Sequence, residues 1–133
     1  RGGSGAVRVY RSMNENQTFT ASFGRNKWPV WGAAGGKDGS VNYFQFIDAD
    51  GTVSEPMGIA ARRVMNTNDV VRMVTATGGG YGNPFKRPAE KVAMDVKNEY
   101  ITVEQAKADY GVLVDPETFK VLGLTEERQK AEK

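Results

Sequence analysis

An α+β fold is predicted: a Gly-rich antiparallel β-sheet or barrel-like part over residues 1–85, then two to three short helices within 86–133, together one structural domain. Three observations carry this. Fourteen of the sixteen glycines fall at or before Gly82. In that same stretch β-branched and aromatic residues recur in short alternating runs, the period of a strand. After Pro84 the apolar spacing changes to that of a helix. The length, 133 residues, fits the usual ~100–200 residues of one domain.

Ala6–Met13 alternates Val7 and Val9 with Arg8 and Tyr10, which suits a half-buried strand. Gln17–Phe23 alternates Phe19, Ala21 and Phe23 with Thr18, Thr20 and Ser22, and Asn14-Glu15-Asn16 between the two offers hairpin chemistry. Gly24–Ser40 is a long Gly-rich loop carrying Trp28-Pro29-Val30-Trp31. Loops of that length are more often functional than filler, and the two indoles must fold back on the core or bury against another chain. Val41–Asp48 follows as a strand apolar on both faces, and Asp50-Gly51 marks a turn. Ala61–Met65 and Asp69–Thr77 are expected to pair around Asn66-Thr67-Asn68.

Beyond Pro84, Val92, Val96 and Tyr100 recur at helical spacing with Ala89 and Ala93 beside them, and Pro88 suits the first turn. Thr102 and Gln105 have capping-box spacing, Ile101 can act as a staple, and Ala106 and Tyr110 face inward. Gly111 should end that helix. Val112–Val114 reads as a short strand, Asp115-Pro116-Glu117-Thr118 as a turn, and Thr125–Lys133 as a charged, frayed terminal helix.

Composition excludes several chemistries. The chain has no cysteine and no histidine, so thiol nucleophiles, disulfides, imidazole bases and the usual zinc and copper ligand sets are missing. No catalytic or metal-ligating residue is assigned. The net charge of +2 is too small for a dedicated nucleic-acid module. No apolar run approaches the ~20 residues of a membrane span, and the N-terminus does not read as a signal peptide. A cytoplasmic protein is expected, with no membrane or nucleic-acid partner. The sequence starts at Arg1 without a methionine, which fits a trimmed chain or a segment of a longer one.

Gly78-Gly79-Gly80-Tyr81-Gly82-Asn83-Pro84 is the most informative stretch. Three successive glycines add no packing, and are tolerated where φ is positive or another group approaches the backbone closely. Neither the dinucleotide fingerprint nor Walker A fits, because Asn83-Pro84-Phe85 stand where glycine or Gly-Lys-Ser/Thr is needed. A packed corner at an interface or cavity is the expected role for Gly78, Gly79, Gly80, Tyr81 and Gly82. An anion held by this loop with Lys86 and Arg87 is the competing reading. Asp48-Ala49-Asp50-Gly51 lacks the later ligands of a calcium loop and reads as a turn. In Phe23–Trp31 the mixture of basic and aromatic residues could stack single-stranded bases, but Trp28, Pro29 and Trp31 are better read as a partner contact.

Four elements stand in order: Arg1-Gly2-Gly3-Ser4-Gly5 leading to Arg8 and Tyr10; Pro29-Val30-Trp31-Gly32 with Gly35-Gly36-Lys37-Asp38-Gly39; Asn68-Asp69-Val70-Val71 running into the glycine loop; and Ala89, Val92 and Asp95-Val96 followed by Ile101–Ala106 and Asp109-Tyr110-Gly111-Val112. Together they resemble the C-terminal portion of the hydantoinase B/oxoprolinase family. The family has Asp where this chain has Asn83, and often glycine at Thr77. The resemblance implies an ATP-dependent hetero-oligomer in which hydantoinase B-like and hydantoinase A-like subunits open cyclic amides or carboxylate ketones. On that footing the chain is a non-catalytic small subunit or C-terminal domain, as in an acetophenone carboxylase-like complex. ATP and a divalent metal would be bound by partner subunits and no cofactor by this chain.

Overall fold

Two strand pairings that the local sequence favours do not form. In the computed structural model, which describes residues 1–131, β1 (Val7–Arg11) does not close a hairpin with β2 (Gln17–Ser22). Nor does β4 (Ile59–Met65) pair with β5 (Val70–Val74). Instead β5 lies between β1 and β3 (Tyr43–Ile47) in a three-stranded antiparallel sheet, and β2 pairs with β4 in a separate two-stranded one. Both expected turns exist, with Asn16 and Asn68 at positive φ. They bond to each other: the Asn16 N–H donates to Asn66 Oδ1 and the Thr67 N–H to Glu15 Oε1. Ser12 then exchanges backbone hydrogen bonds with Asp69 and Asn68, which carries β1 onto β5. Two strand–turn–strand segments therefore pair crosswise. A turn fixes where a chain reverses, whereas a strand's partner is chosen by the side chains it must cover.

The chain divides into two compact units. The sheet unit comprises Gly2–Gly32 and Asp38–Gly79; the helical unit comprises Arg1, Ala33–Lys37 and the chain from Gly80 onward. In the sheet unit, Phe44 and Phe46 of β3 and Val71 of β5 are buried with Met65 of β4. Phe19 meets both β3 rings edge-on at 5.9 and 5.5 Å, and Phe23 meets Phe44 at 5.6 Å. Edge-to-face rings at such spacings add to the area they bury. The sheets are open, so the barrel-like alternative does not occur. A bulge between Phe19 and Ala21, facing Arg62 at positive φ, breaks the alternation in β4. Consequently Arg62 and Arg63 are both exposed. Arg63 reaches Asp48 at 3.2 Å.

The helical unit follows the sequence more closely. Pro88 precedes α1 (Ala89–Lys97), and Val92, Ala93 and Val96 are buried. The helix stops at Lys97, so Tyr100 lies beyond it and is exposed, contrary to its predicted place on the apolar face. Thr102 caps α2 (Val103–Tyr110) with the full reciprocal capping box, and Gly111 ends it in the left-handed conformation. β6 (Val112–Val114) pairs with β7 (Val121–Leu124), a strand the sequence reading missed. The turn between them is held by Asp115, whose Oδ1 accepts from the Glu117 and Thr118 N–H groups. α3 (Glu126–Ala131) is docked, not frayed: Arg128 is buried and donates to Tyr110 O at 3.0 Å and to Arg87 O at 2.9 Å. The last two residues of the predicted terminal helix lie outside the described ones. Among the described residues no helix is long and apolar enough to cross a membrane.

Candidate functional site

The glycine loop is divided between the two units, Gly78 and Gly79 falling in one and Gly80, Tyr81 and Gly82 in the other. In the sheet unit the stretch Thr75–Gly79 continues beyond β5 and runs against the N-terminal glycines. The Thr75 N–H donates to Ala6 O and the Gly78 N–H to Gly3 O, both at 2.9 Å. A methyl group at Gly2 or Gly5 would strike the carbonyls of Gly78 or Thr75, and one at Gly79 the carbonyl of Trp31. Backbone meets backbone here with no room for a Cβ, which is why glycine recurs although it adds no packing. On the other side, Thr77 and Ser40 exchange hydroxyl–amide hydrogen bonds of 2.8 and 2.9 Å. Thr77 is thus part of the lacing.

In the helical unit, Ala33 and Tyr81 form a parallel bridge. The Ala33 N–H donates to Gly80 O, the Gly82 N–H to Ala33 O and the Gly80 N–H to Lys37 O, each at 2.8 Å. The amides of Gly78, Gly80 and Gly82 are therefore already engaged in backbone hydrogen bonds. The loop presents the Tyr81 side chain, with the residue 83% exposed. Asn83 Oδ1 accepts from the Phe85 N–H at 2.9 Å and caps the single 3-10 turn Pro84–Lys86. That role needs only a side-chain oxygen.

Of the proposed anion pair, Arg87 is committed elsewhere: its Nη2 lies 2.8 Å from Asp95 Oδ2. Asp95 is buried on α1 and also meets Arg1 Nε at 3.5 Å, while the Arg1 guanidinium sits 4.0 Å from the Tyr100 ring centre. Sequence reasoning missed this cluster, although an acid among the inward positions Val92, Ala93 and Val96 was its signal. Burial pushes the Tyr110 phenol up, opposed by Arg87 and reinforced by Asp95, so it is no base at neutral pH. Among the described residues no group of three or more Asp or Glu side chains could hold a metal ion. Trp28 and Trp31 are 76% and 71% exposed and do not fold back on the core; Pro29 between them is half-buried.

Residues 1–84, well over half the chain, match the hydantoinase B/oxoprolinase family. The chain belongs to that family. It is 32% identical over 116 residues to the B component of a D-/L-hydantoinase from Pseudomonas sp. (strain NS671), covering 86% of this chain and 19% of that one. The fold is similar to that of acetone carboxylase in a nucleotide-free structure (TM-score 0.58, 20% identity, 76% of this chain and 17% of that one). It is also similar to the ATP-dependent caprolactamase of Pseudomonas jessenii (TM-score 0.51, 24% identity, 97% and 20%). This member of the hydantoinase B family spans about a fifth of the length of the curated relatives it matches.

Proposed function

We propose that this chain is a non-catalytic small subunit or C-terminal domain that completes and stabilises a hydantoinase B-like large polypeptide in an ATP-dependent enzyme. The carrying observation is the family match over a chain that has neither histidine nor cysteine and spans a fifth of its relatives. Trp28, Pro29 and Trp31 would contact the large polypeptide, and the glycine loop with Tyr81 would lie at an interface or line the cavity. Hydantoinase A-like subunits complete the assembly, and ATP and a divalent metal bind on the partners. The complex works in the cytoplasm.

Two reactions suit such an assembly. Ketone carboxylation, a carbon–carbon ligation as in acetophenone carboxylase, has the support of the acetone carboxylase fold. Opening of a cyclic amide is favoured by the hydantoinase relative and by the caprolactamase fold. Co-purification with the large and hydantoinase A-like polypeptides, followed by ATP-dependent turnover of acetophenone, hydantoin and caprolactam, tests the role and separates the reactions. Trp28→Ala with Trp31→Ala should lower complex recovery at least tenfold. Full recovery and activity with that double variant would remove the indole contact, and turnover by this chain alone would end the accessory reading.

A further inference from the structure

Strand β1 is uncovered on three sides. Its neighbour β5 covers one edge; among the described residues no strand covers the other. The opposite margin of the same sheet is treated differently, because residues 53–57 fold back along β3. The Ser54 N–H donates to Phe46 O, and Phe44 and Met57 exchange both backbone hydrogen bonds. Nor do the faces of β1 find cover. All five residues are exposed, Val7 by 53%, Val9 by 61% and Tyr10 by 50%. Val7 and Val9 continue the outer face of the sheet, where register places them beside Val74, Arg72, Tyr43 and Gln45. β1 has no proline and its register is unbroken. Bulges, prolines and covering loops are the usual devices that blunt an edge, and here only Arg8 and Arg11 stand in for them.

The backbone direction of each residue follows from the flanking hydrogen bonds. Ala6 O and both backbone groups of Ser12 bond towards β5. Alternation along an antiparallel strand then turns Arg8 and Tyr10 towards β5 and leaves the N–H and C=O groups of Val7, Val9 and Arg11 pointing off the sheet. Three of the five residues, the exposed Val7 and Val9 among them, thus offer open backbone hydrogen-bonding groups.

We infer that β1 accepts an added strand from the hydantoinase B-like large polypeptide, extending the β1–β5–β3 sheet by strand addition. This rests on the accessory reading above and names the surface that serves it. The occupant is argued from extent. The chain spans only a fifth of its relatives, and β1 lies inside the segment that matches the family, so the bulk of the family polypeptide is what such an edge has to meet. The added segment should carry small or β-branched residues over Val7 and Val9. It should also place an Asp or Glu near Arg8 or Arg11, which have no ion-pair partner among the described residues.

The test uses the full chain co-expressed with the large polypeptide, or the same substitutions in the continuous polypeptide if the two are one. Val9→Pro removes an N–H that points off the sheet and is tolerable on an edge; Arg8→Pro removes one that bonds to β5 and is the unfolding control. Val9→Pro should weaken the complex at least tenfold while far-UV circular dichroism stays unchanged, and Val7→Lys with Val9→Lys should do the same should the proline variant misfold. Hydrogen exchange should show the amides of Val7, Val9 and Arg11 gaining protection in the complex, with those of Arg8 and Tyr10 protected beforehand. Wild-type affinity in the folded variants, or no gain of protection at the three outward amides, overturns strand addition alone. A β1-mediated dimer of this chain whose disruption leaves the complex intact assigns the edge to a second copy and also overturns it. Failure of the wild-type chain to bind the large polypeptide sinks the accessory reading and strand addition with it.

Discussion

The helical and sheet units bury their apolar residues in different ways. In the helical unit, Val92, Ala93, Val96, Ala106, Tyr110, Val112 and Val114 form one cluster enclosed by α1, α2 and the β6–β7 hairpin. Its exposed large apolar side chains are Tyr81, Met94, Tyr100 and Leu122. In the sheet unit the buried set is smaller and built on phenylalanine, whereas nine large apolar residues are exposed, among them Val7, Val9, Trp28, Trp31, Ile59 and Val64. Scattered exposed hydrophobics are ordinary, but a strand bare on both faces together with two exposed indoles is not. The helical unit gathers most of its apolar residues into one internal cluster. The other has surplus surface, which suits a part made to be covered.

That contrast can be broken most severely at Phe44, which is fully buried and meets three other rings edge-on. Phe44→Ala should cost about 3–5 kcal/mol. Hydrogen exchange should show β3 and β5 losing protection first, while the 222 nm signal of the helices, all of which lie in the other unit, survives longer. Simultaneous loss of both would mean that the units are not separately stable. Next in size is Asp95→Ala, which strands Arg87 and Arg1. Breaking a buried pair costs about 3–5 kcal/mol, and the arginines here are about a quarter exposed. A loss of about 2 kcal/mol is expected, read as a lower urea midpoint for the helical signal.

Gly79→Ala sharpens the comparison inside the glycine segments. Its methyl group would meet Trp31 and Gly32 backbone atoms, which cannot swing aside as a side chain can. About 1–3 kcal/mol is expected, whereas Gly3→Ala, where the Cβ meets open space, should stay within about 0.5 kcal/mol. Equal effects at the two positions would dismiss the close-approach account. Thr102→Ala should remove the α2 cap at a cost of about 1 kcal/mol. The smallest effect is on acid sensitivity. The N–H groups of Thr118 and Glu117 hold the Asp115 carboxyl below the usual range. Its contribution is complete above the unfolded value of about 3.9 and disappears as pH falls through the lower folded value. Asp115→Asn should therefore flatten the decline in thermal midpoint between about pH 4 and 2. Asp50 and Glu104, also held low, keep some decline in place.

The helices, their caps, the αL glycine and the Asp115 turn were legible because each depends on residues within four or five positions of one another. So were the strands as segments, β7 excepted, and the family, which is written in the order of its glycine motifs. Strand partners were not, because Asn14–Asn16 and Asn66–Asn68 set where the chain reverses without choosing what each strand must cover. The glycine loop was recognisable as a place of close approach, yet which atoms approach was settled only when Gly2, Gly3 and Trp31 met its backbone. Asp95 with its two arginines, and the bare edge of β1, have the same origin. Charge pairing and burial join residues from separate local segments, so the sequence names the participants while three-dimensional packing decides which of them meet.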